Sequence, residues 1–269
     1  MSTQNALLTI LVEKINNDTL VLPTLPAIAL KVRKSADDPN INLNGMADVV
    51  GQDPSLSARM IKISNSAYLG RSIKVTSTTQ AVTRIGLNQV KNIATALAME
   101  QLFVSKNEVV KKYMAKMWTD TIDIVANAMA AMLTYKAATG KKNLSLDTIT
   151  LSALVANIGA LPVLTEAERH DSVFANPTFL DVAIEKLSGR IGGSIMREWQ
   201  FNDVFIQCAE HWRNLEFNEP TVGYIDFVRI GAALSNQAEN GDEILTLAQQ
   251  KGIFDDVDVI SNKHIKSKV

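Results

Sequence analysis

The spacing of the apolar residues constrains the fold of this chain more than any other feature, because it follows the helical period almost throughout. Val90, Ile93 and Leu97, for example, recur at intervals that place them on one face of a helix. The segment closest to the strand period of two, Ile73 to Thr76, alternates too briefly to build a sheet. The sequence therefore predicts an all-α protein.

Composition excludes several classes of protein. The 269 residues carry 27 basic and 28 acidic side chains, a formal net charge of −1. The chain therefore lacks the positive excess that drives binding to nucleic acids or anionic membranes. The single cysteine, Cys208, cannot form an internal disulfide and fits a reducing compartment. Because the N-terminus has no secretory leader, we expect a cytoplasmic protein.

The longest uncharged stretch lies between Asp147 and Glu166 and contains Asn157, Gly159 and Pro162. These three residues interrupt a helix. The stretch therefore predicts a buried helix that ends within it, and not a membrane span.

Capping signals divide the helical pattern into separate helices. Asp53 before Pro54 places a side-chain acceptor at an N-cap and a proline in the first turn. Ser77 with Gln80 three residues later predicts a capping box. Gly192-Gly193 lies inside a helical pattern, with no strand before it, which favours close helix packing over a phosphate loop.

A polar break at about 104–112 predicts two helical lobes. We expect residues 1–104 to form one lobe and residues 113–238 the other. Long helices are predicted at 113–136, 148–158 and 181–199.

Several blocks of the sequence resemble the HDOD family, over about residues 22–214. The blocks occur in the family's order and spacing, and they are Leu22–Pro26, Asp53–Ala67, Thr79–Gly86, Ala153–Gly159 and Glu210–Trp212. The resemblance implies a two-lobed HDOD fold with an HD-like second lobe. It places an HDOD domain at 22–214, with lobes at about 22–104 and 113–214. Outside this range, the helical pattern predicts an N-terminal helix at 1–21 and a C-terminal helical extension and tail at 215–269.

HDOD domains resemble the HD superfamily of metal-dependent phosphohydrolases but typically lack its ligands. By the resemblance, Asp120 stands at the first histidine position, and Ala156 and Asn157 replace the His-Asp pair. His211 and Trp212 stand at the later pair of histidines. A methyl group cannot ligate a metal, and an amide is a poor substitute for a carboxylate. We therefore expect no catalytic residue, no metal ligand and no cofactor.

Each remnant of the degenerate site also has a structural interpretation. Asp120 fits a cap or a solvent-facing position at the start of a helix, and Asn157 fits a C-terminal cap next to Gly159. His211, beside Glu210 in the sequence, fits a hydrogen-bonded structural histidine. Trp212 fits a core aromatic residue. No cluster of arginines clearly replaces the missing cation. Arg213 is the basic residue nearest His211 along the chain, with Arg190 and Arg197 further back, and the sequence pairs none of them with a candidate base.

Four basic residues of the first lobe form a modest cluster, which is either a solvated face or a surface facing an acidic partner. They are Arg59, Lys62, Arg71 and Lys74.

The family implies a bacterial signalling or scaffold protein that acts through contacts with other signalling proteins, in cyclic-dinucleotide or two-component regulation. We expect no nucleic-acid or membrane partner, and self-association stays open. Two alternatives stand beside this hypothesis: a metal-dependent phosphohydrolase, and a sensor that binds a nucleotide or another small molecule in the degenerate cavity.

Overall fold

The computed structural model of the protein describes residues 3–17, 19–65, 73–102, 105–141, 143–169 and 177–260. Over these residues the regular secondary structure is entirely helical, which confirms the all-α prediction. The α-helices are α1 Thr3–Asn16, α2 Ala27–Ala36, α3 Leu43–Gly51, α4 Pro54–Ser64, α5 Thr78–Ile85, α6 Leu87–Glu100, α7 Glu108–Thr139, α8 Leu146–Val155, α9 Ala160–Arg169, α10 Pro177–Glu198, α11 Asp203–His211, α12 Tyr224–Leu234 and α13 Gly241–Gln250. A short 3-10 helix covers Val257–Val259.

The described residues fall into two compact units. The smaller unit begins at Thr24 and ends at Gln101, so it contains α2 to α6. The larger unit contains α1 and all helices from α7 onward. The predicted break at 104–112 lies just after the boundary between Gln101 and Leu102. The C-terminal helices α12 and α13 belong to the larger unit.

Helix α1 also belongs to the larger unit, which corrects the expectation that residues 1–104 form one lobe. Helix α1 packs on α10, and the Arg190 guanidinium donates a hydrogen bond to Asn16 Oδ1 over 3.1 Å. Lys14 forms an ion pair with Glu166, which is only 2% exposed. The two partners lie 152 and 174 residues further along the chain, where local sequence patterns give no sign of them.

The smaller unit follows its capping signals closely. Asp53 Oδ1 accepts the Leu56 N–H over 2.9 Å, and Ser77 Oγ accepts the Gln80 N–H over 3.2 Å. Both predicted N-caps are therefore confirmed. The capping box differs in one bond, because Gln80 Oε1 accepts the N–H of Thr76 and not that of Ser77.

Helix α7, of 32 residues, runs through the larger unit and packs most extensively against α12. The stretch Leu146–Arg169 is long and apolar enough to cross a membrane by length and composition alone, yet 83% of its most apolar 18 residues are buried inside the protein. Helix α8 ends at Val155 and a turn precedes α9, so the prediction of a buried, interrupted helix is confirmed.

Glycines allow α10 to approach its neighbours at backbone distance. A β-carbon at Gly192 would lie 2.9 Å from the Ala209 carbonyl oxygen of α11, and one at Gly193 would lie 2.6 Å from the Glu210 side chain. The interpretation of Gly192-Gly193 as a packing device is confirmed. The same packing extends to the turn after α8, where a β-carbon at Gly159 would lie 1.8 Å from the Ser188 carbonyl oxygen.

We predict that Gly159→Ala lowers the free energy of unfolding of the larger unit by about 3 kcal/mol, because the clash is with backbone and a core cannot absorb it cheaply. Urea unfolding followed by tryptophan fluorescence measures this, since Trp118, Trp199 and Trp212 all belong to the larger unit. In the control, Gly241→Ala, the added β-carbon meets its nearest atom at an ordinary 3.6 Å. Equal unfolding midpoints for the two variants would contradict the prediction.

Candidate functional site

The site begins with a buried arginine that fixes the chain after α11. The guanidinium of Arg229, on α12, donates hydrogen bonds to four backbone carbonyl oxygens at 2.6–3.1 Å. These acceptors belong to His211, Trp212, Asn214 and Phe217. Arg229 is only 4% exposed, so its charge is satisfied by this backbone and by the nearby carboxylate of Asp226. The segment that follows α11 is therefore held in one conformation.

Trp212 is the first side chain that this segment positions. It is 1% exposed, and its indole Nε1 donates a hydrogen bond of 2.9 Å to the Ala156 carbonyl oxygen. The expectation of a core aromatic residue is in agreement with this burial. Its ring also ties α11 to the turn between α8 and α9.

Arg213 is the second side chain that the segment after α11 positions. Its guanidinium carbon lies 3.9 Å from the centroid of the Trp212 ring. Its Nη2 donates to Asn157 Oδ1 over 3.0 Å, and its Nε lies 3.2 Å from Glu185 Oε2. A longer contact of 3.4 Å joins Nη1 to Ser188 Oγ. Burial lowers the pKa of Arg213 to about 10, opposed by the Glu185 carboxylate, so the side chain is cationic at neutral pH.

Asn157 lies at the inner end of this arrangement. Its residue is 5% exposed, its Oδ1 accepts from Arg213, and its Nδ2 donates to Thr121 Oγ1 over 3.3 Å. The side chain therefore links α7 to Arg213. This corrects the interpretation of Asn157 as a C-terminal cap.

Asp120 lies within α7, three turns after the helix begins, and not at a helix start. Lys116 Nζ lies 2.5 Å from its Oδ2, one turn earlier on the same helix. The expectation of a helix cap at Asp120 is therefore wrong, because α7 begins at Glu108 with Asn107 as its N-cap.

His211 stands apart from the other three remnants. Its ring stacks on Phe217 with centroids 4.3 Å apart and planes 12° from parallel. Its Nε2 lies 3.9 Å from Glu210 Oε2, beyond hydrogen-bond distance. The structure thus brings Asp120 and Asn157 to one cleft, and neither His211 nor Trp212 belongs to the lining of that cleft.

The cleft has a volume of about 530 Å³ and is built by five parts of the larger unit. Helix α7 supplies Tyr113, Lys116, Met117 and Asp120, and α10 supplies Asp181, Ile184 and Glu185. The turn after α8 supplies Asn157, and Arg213 follows α11. The segment after α12 supplies Gln237 and Glu239.

The part of the chain that the structure describes offers neither a metal-binding cluster nor a reactive thiol. No three His, Cys, Asp or Glu side chains converge where they could hold a metal ion. Burial raises the pKa of the Cys208 thiol to about 12, so this sulfur is not a nucleophile at neutral pH.

The basic cluster predicted in the smaller unit is not a uniform surface. Arg59 forms an ion pair with Glu100 of α6, while Lys62 and Lys74 are exposed. Arg71 lies outside the described residues. Lys74 lines a separate open groove together with Arg84.

Comparison with known proteins identifies the family of the chain. The model of the HDOD domain matches residues 22–215. The chain belongs to the HDOD family.

Three relatives show how far the likeness extends. A solved structure from Shewanella amazonensis SB2B, of a protein provisionally named a metal-dependent phosphohydrolase, is 36% identical, with a TM-score of 0.87 over 100% of both chains. A structure from Marinobacter aquaeolei VT8, provisionally named a signal transduction protein, is 18% identical with a TM-score of 0.63, over 99% of this chain and 63% of that one. An uncharacterised protein of Treponema pallidum (strain Nichols) is 21% identical over 224 residues, which are 78% of this chain and 42% of that protein.

Within the HDOD domain, Ala156 and Asn157 stand where the resemblance places the HD pair. Trp212 donates a hydrogen bond to the Ala156 carbonyl oxygen, and Arg213 donates one to Asn157 Oδ1. The sequence alone pairs none of the nearby arginines with a site residue, and the structure pairs Arg213 with Asn157. Asn157 precedes Arg213 by 56 residues, and no local pattern signals the contact. The only signal in the sequence was an arginine next to a motif residue, Trp212.

We predict that Arg213→Ala lowers the free energy of unfolding by about 2–3 kcal/mol, because it removes charge-assisted hydrogen bonds and leaves Asn157 Oδ1 buried without its donor. Arg213→Lys should recover only part of this loss, since an ammonium cannot reach Asn157 and Glu185 with one planar fork. Urea unfolding with tryptophan fluorescence is the measurement.

The matched control is Arg197→Ala, which deletes an exposed arginine paired with Glu210. Exposed ion pairs contribute less than about 1 kcal/mol. The prediction is contradicted if Arg213→Ala unfolds at the same urea concentration as Arg197→Ala.

Proposed function

We propose that this protein is a non-catalytic signalling module of the bacterial cytoplasm, which acts by contact with other signalling proteins. The observation that supports the proposal is the place of Arg213. Its guanidinium donates to Asn157, and the neighbouring Trp212 indole donates to the Ala156 carbonyl oxygen, at the two HD pair positions where a phosphohydrolase would hold its metal.

A guanidinium and a metal ion differ in what they do to water. A divalent metal binds water directly and lowers its pKa from 15.7 to about 7, which creates the nucleophile. A guanidinium offers only N–H donors and has no empty coordination position. Arg213 can neutralise charge in the cleft, but it cannot generate a hydroxide there.

The residues around Arg213 would also hold a metal poorly. Asp120 offers one carboxylate, already paired with Lys116, and Asn157 offers an amide whose oxygen is occupied. His211 stacks on Phe217 and does not line the cleft. A catalytic metal site keeps about three protein ligands, and this arrangement offers fewer.

The alternative is the activity in the name of the Shewanella relative, a metal-dependent phosphohydrolase. That hypothesis needs ligands that converge after a rearrangement of Arg213. The Trp212 stacking, the Asn157 hydrogen bond and the Arg229 clamp all oppose such a rearrangement.

The proposed pathway follows the family and the name of the Marinobacter structure, a signal transduction protein. We place this protein in cyclic-dinucleotide or two-component regulation, with signalling proteins as its partners. Nucleic acid and membrane are not part of the proposal, because the chain has a net charge of −1.

We predict no hydrolysis of cyclic di-GMP, deoxynucleoside triphosphates or an aryl phosphodiester by the purified full chain with added Mn²⁺, Mg²⁺ or Fe²⁺. Without an activated water, general-base catalysis alone contributes about 10²–10⁴-fold, far below what phosphate ester hydrolysis needs. Chromatographic detection of products measures hydrolysis, and elemental analysis measures whether the purified protein carries a metal ion.

Asp120→Ala and His211→Ala serve as controls, and neither should alter any background rate. Turnover that survives repurification and disappears in both variants would overturn the proposal. About one metal ion per chain, lost in His211→Ala, would do the same.

A further inference from the structure

The cleft beside Arg213 has the size and walls of a small-molecule site. Its 530 Å³ lie within the range of about 300–1,000 Å³ typical of ligand pockets. Met117 and Ile184 supply apolar surface, and the Tyr113 ring lies among the charged groups. Because the walls come from α7, α10 and the segments after α8, α11 and α12, a ligand here would contact five separate parts of the larger unit.

The charges of the cleft do not balance. Its walls carry four carboxylates and two cations, Lys116 and Arg213, which leaves a net charge of −2. Both cations are already paired, Lys116 with Asp120 and Arg213 with Glu185. Among the described residues, the two other carboxylates form no salt bridge within 4.0 Å.

These two carboxylates are Asp181 on α10 and Glu239 after α12. Asp181 accepts a hydrogen bond from the Tyr113 hydroxyl. Both residues line the cleft. Partial burial raises the pKa of Asp181, and the charge of Glu239 raises it further, as expected for two carboxylates that share one cavity. A cation between them would remove this repulsion.

We propose that the cleft binds a small organic cation, a ligand with one or more primary ammonium or guanidinium groups, between Asp181 and Glu239. The apolar floor at Met117 and Ile184 fits the carbon chain of such an amine. The Tyr113 ring offers a negative π-face near the charged head.

Other ligand classes fit less well. A nucleotide would bring phosphates into a cleft of net charge −2, where both cations already have carboxylate partners. A divalent metal ion takes six or more oxygen ligands or retains water, and the described residues offer no group of three acidic or imidazole side chains. An amine satisfies two carboxylates and still uses the apolar part of the cavity.

The inference deepens the proposed function, since a cleft without catalysis is free to serve as the input of a signalling module. The two proposals fail separately. Hydrolytic activity would overturn the proposed function, whereas the binding experiment below measures no turnover.

The experiment uses the full chain with spermidine, putrescine and agmatine as probes, beside AMP, cyclic di-GMP, Mg²⁺ and Mn²⁺. The measurements are the thermal unfolding midpoint and isothermal titration calorimetry. We expect at least one amine to raise the midpoint by about 5 °C near saturation, because a ligand of the folded state stabilises it. The nucleotides and the metal ions should leave the midpoint unchanged.

The variant Asp181→Asn with Glu239→Gln should weaken amine binding at least tenfold. Its matched control is Glu216→Gln with Asp242→Asn, which changes the net charge equally at two exposed positions outside the cleft. The control should bind amines like the wild type. Because all four positions are at the surface or at the cleft rim, both variants should fold.

The remaining outcomes overturn the inference. Equal amine binding by the two double variants would show a nonspecific effect of polycations. Stabilisation by a nucleotide or a metal ion, lost in the cleft variant, would assign the cleft to that ligand. If no amine shifts the unfolding midpoint and none gives heat in calorimetry, the cleft does not bind organic cations.

Discussion

The hydrogen bonds from Arg229 to four backbone carbonyls are the interaction on which the rest of the site depends. Burying a guanidinium is costly unless each donor finds an acceptor, and here the backbone after α11 supplies the acceptors. These hydrogen bonds fix a segment without regular structure. It thereby places Trp212 under the Ala156 carbonyl and Arg213 against Asn157.

The second arginine changes the electrostatics of the cleft. A divalent ion bound by neutral and anionic ligands makes a site attractive to phosphate. Arg213 contributes only one positive charge, and Glu185 neutralises it at 3.2 Å. The carboxylates that remain on the walls then dominate, so the same cavity repels phosphate and favours cations. In the proposed role, a cleft without a metal ion would take a different class of ligand from that of a phosphohydrolase.

Much of the fold could be predicted from the sequence, because it depends on local patterns. The caps at Asp53 and Ser77 and the close packing at Gly192-Gly193 follow from residue types at short spacing. The unit to which α1 belongs could not be predicted, since the partners of Lys14 and Asn16 lie more than 150 residues away.

The site was predictable only in part, and for the same reason. The resemblance to the HDOD family identified Asn157 and Trp212 as the positions of interest, and both lie together. It also grouped His211 with them, although that ring points to Phe217. The sequence shows Arg213 next to the motif but not its partners, because Glu185 and Asn157 are distant along the chain and only Trp212 is adjacent.

The walls of the cleft are held by contacts that do not involve any ligand. Backbone packing at Gly159 fixes α10 against the turn after α8, and Gly192 fixes α10 against α11. The cleft is therefore preorganised, and a ligand need not supply the free energy that would order it. An amine bound between Asp181 and Glu239 would add a bridge from α10 to the segment after α12, elements that the glycine contacts leave unlinked. Such a bridge favours the states of the larger unit in which both carboxylates face the cleft. A signalling protein needs this dependence of conformation on ligand, and it needs no catalysis to have it.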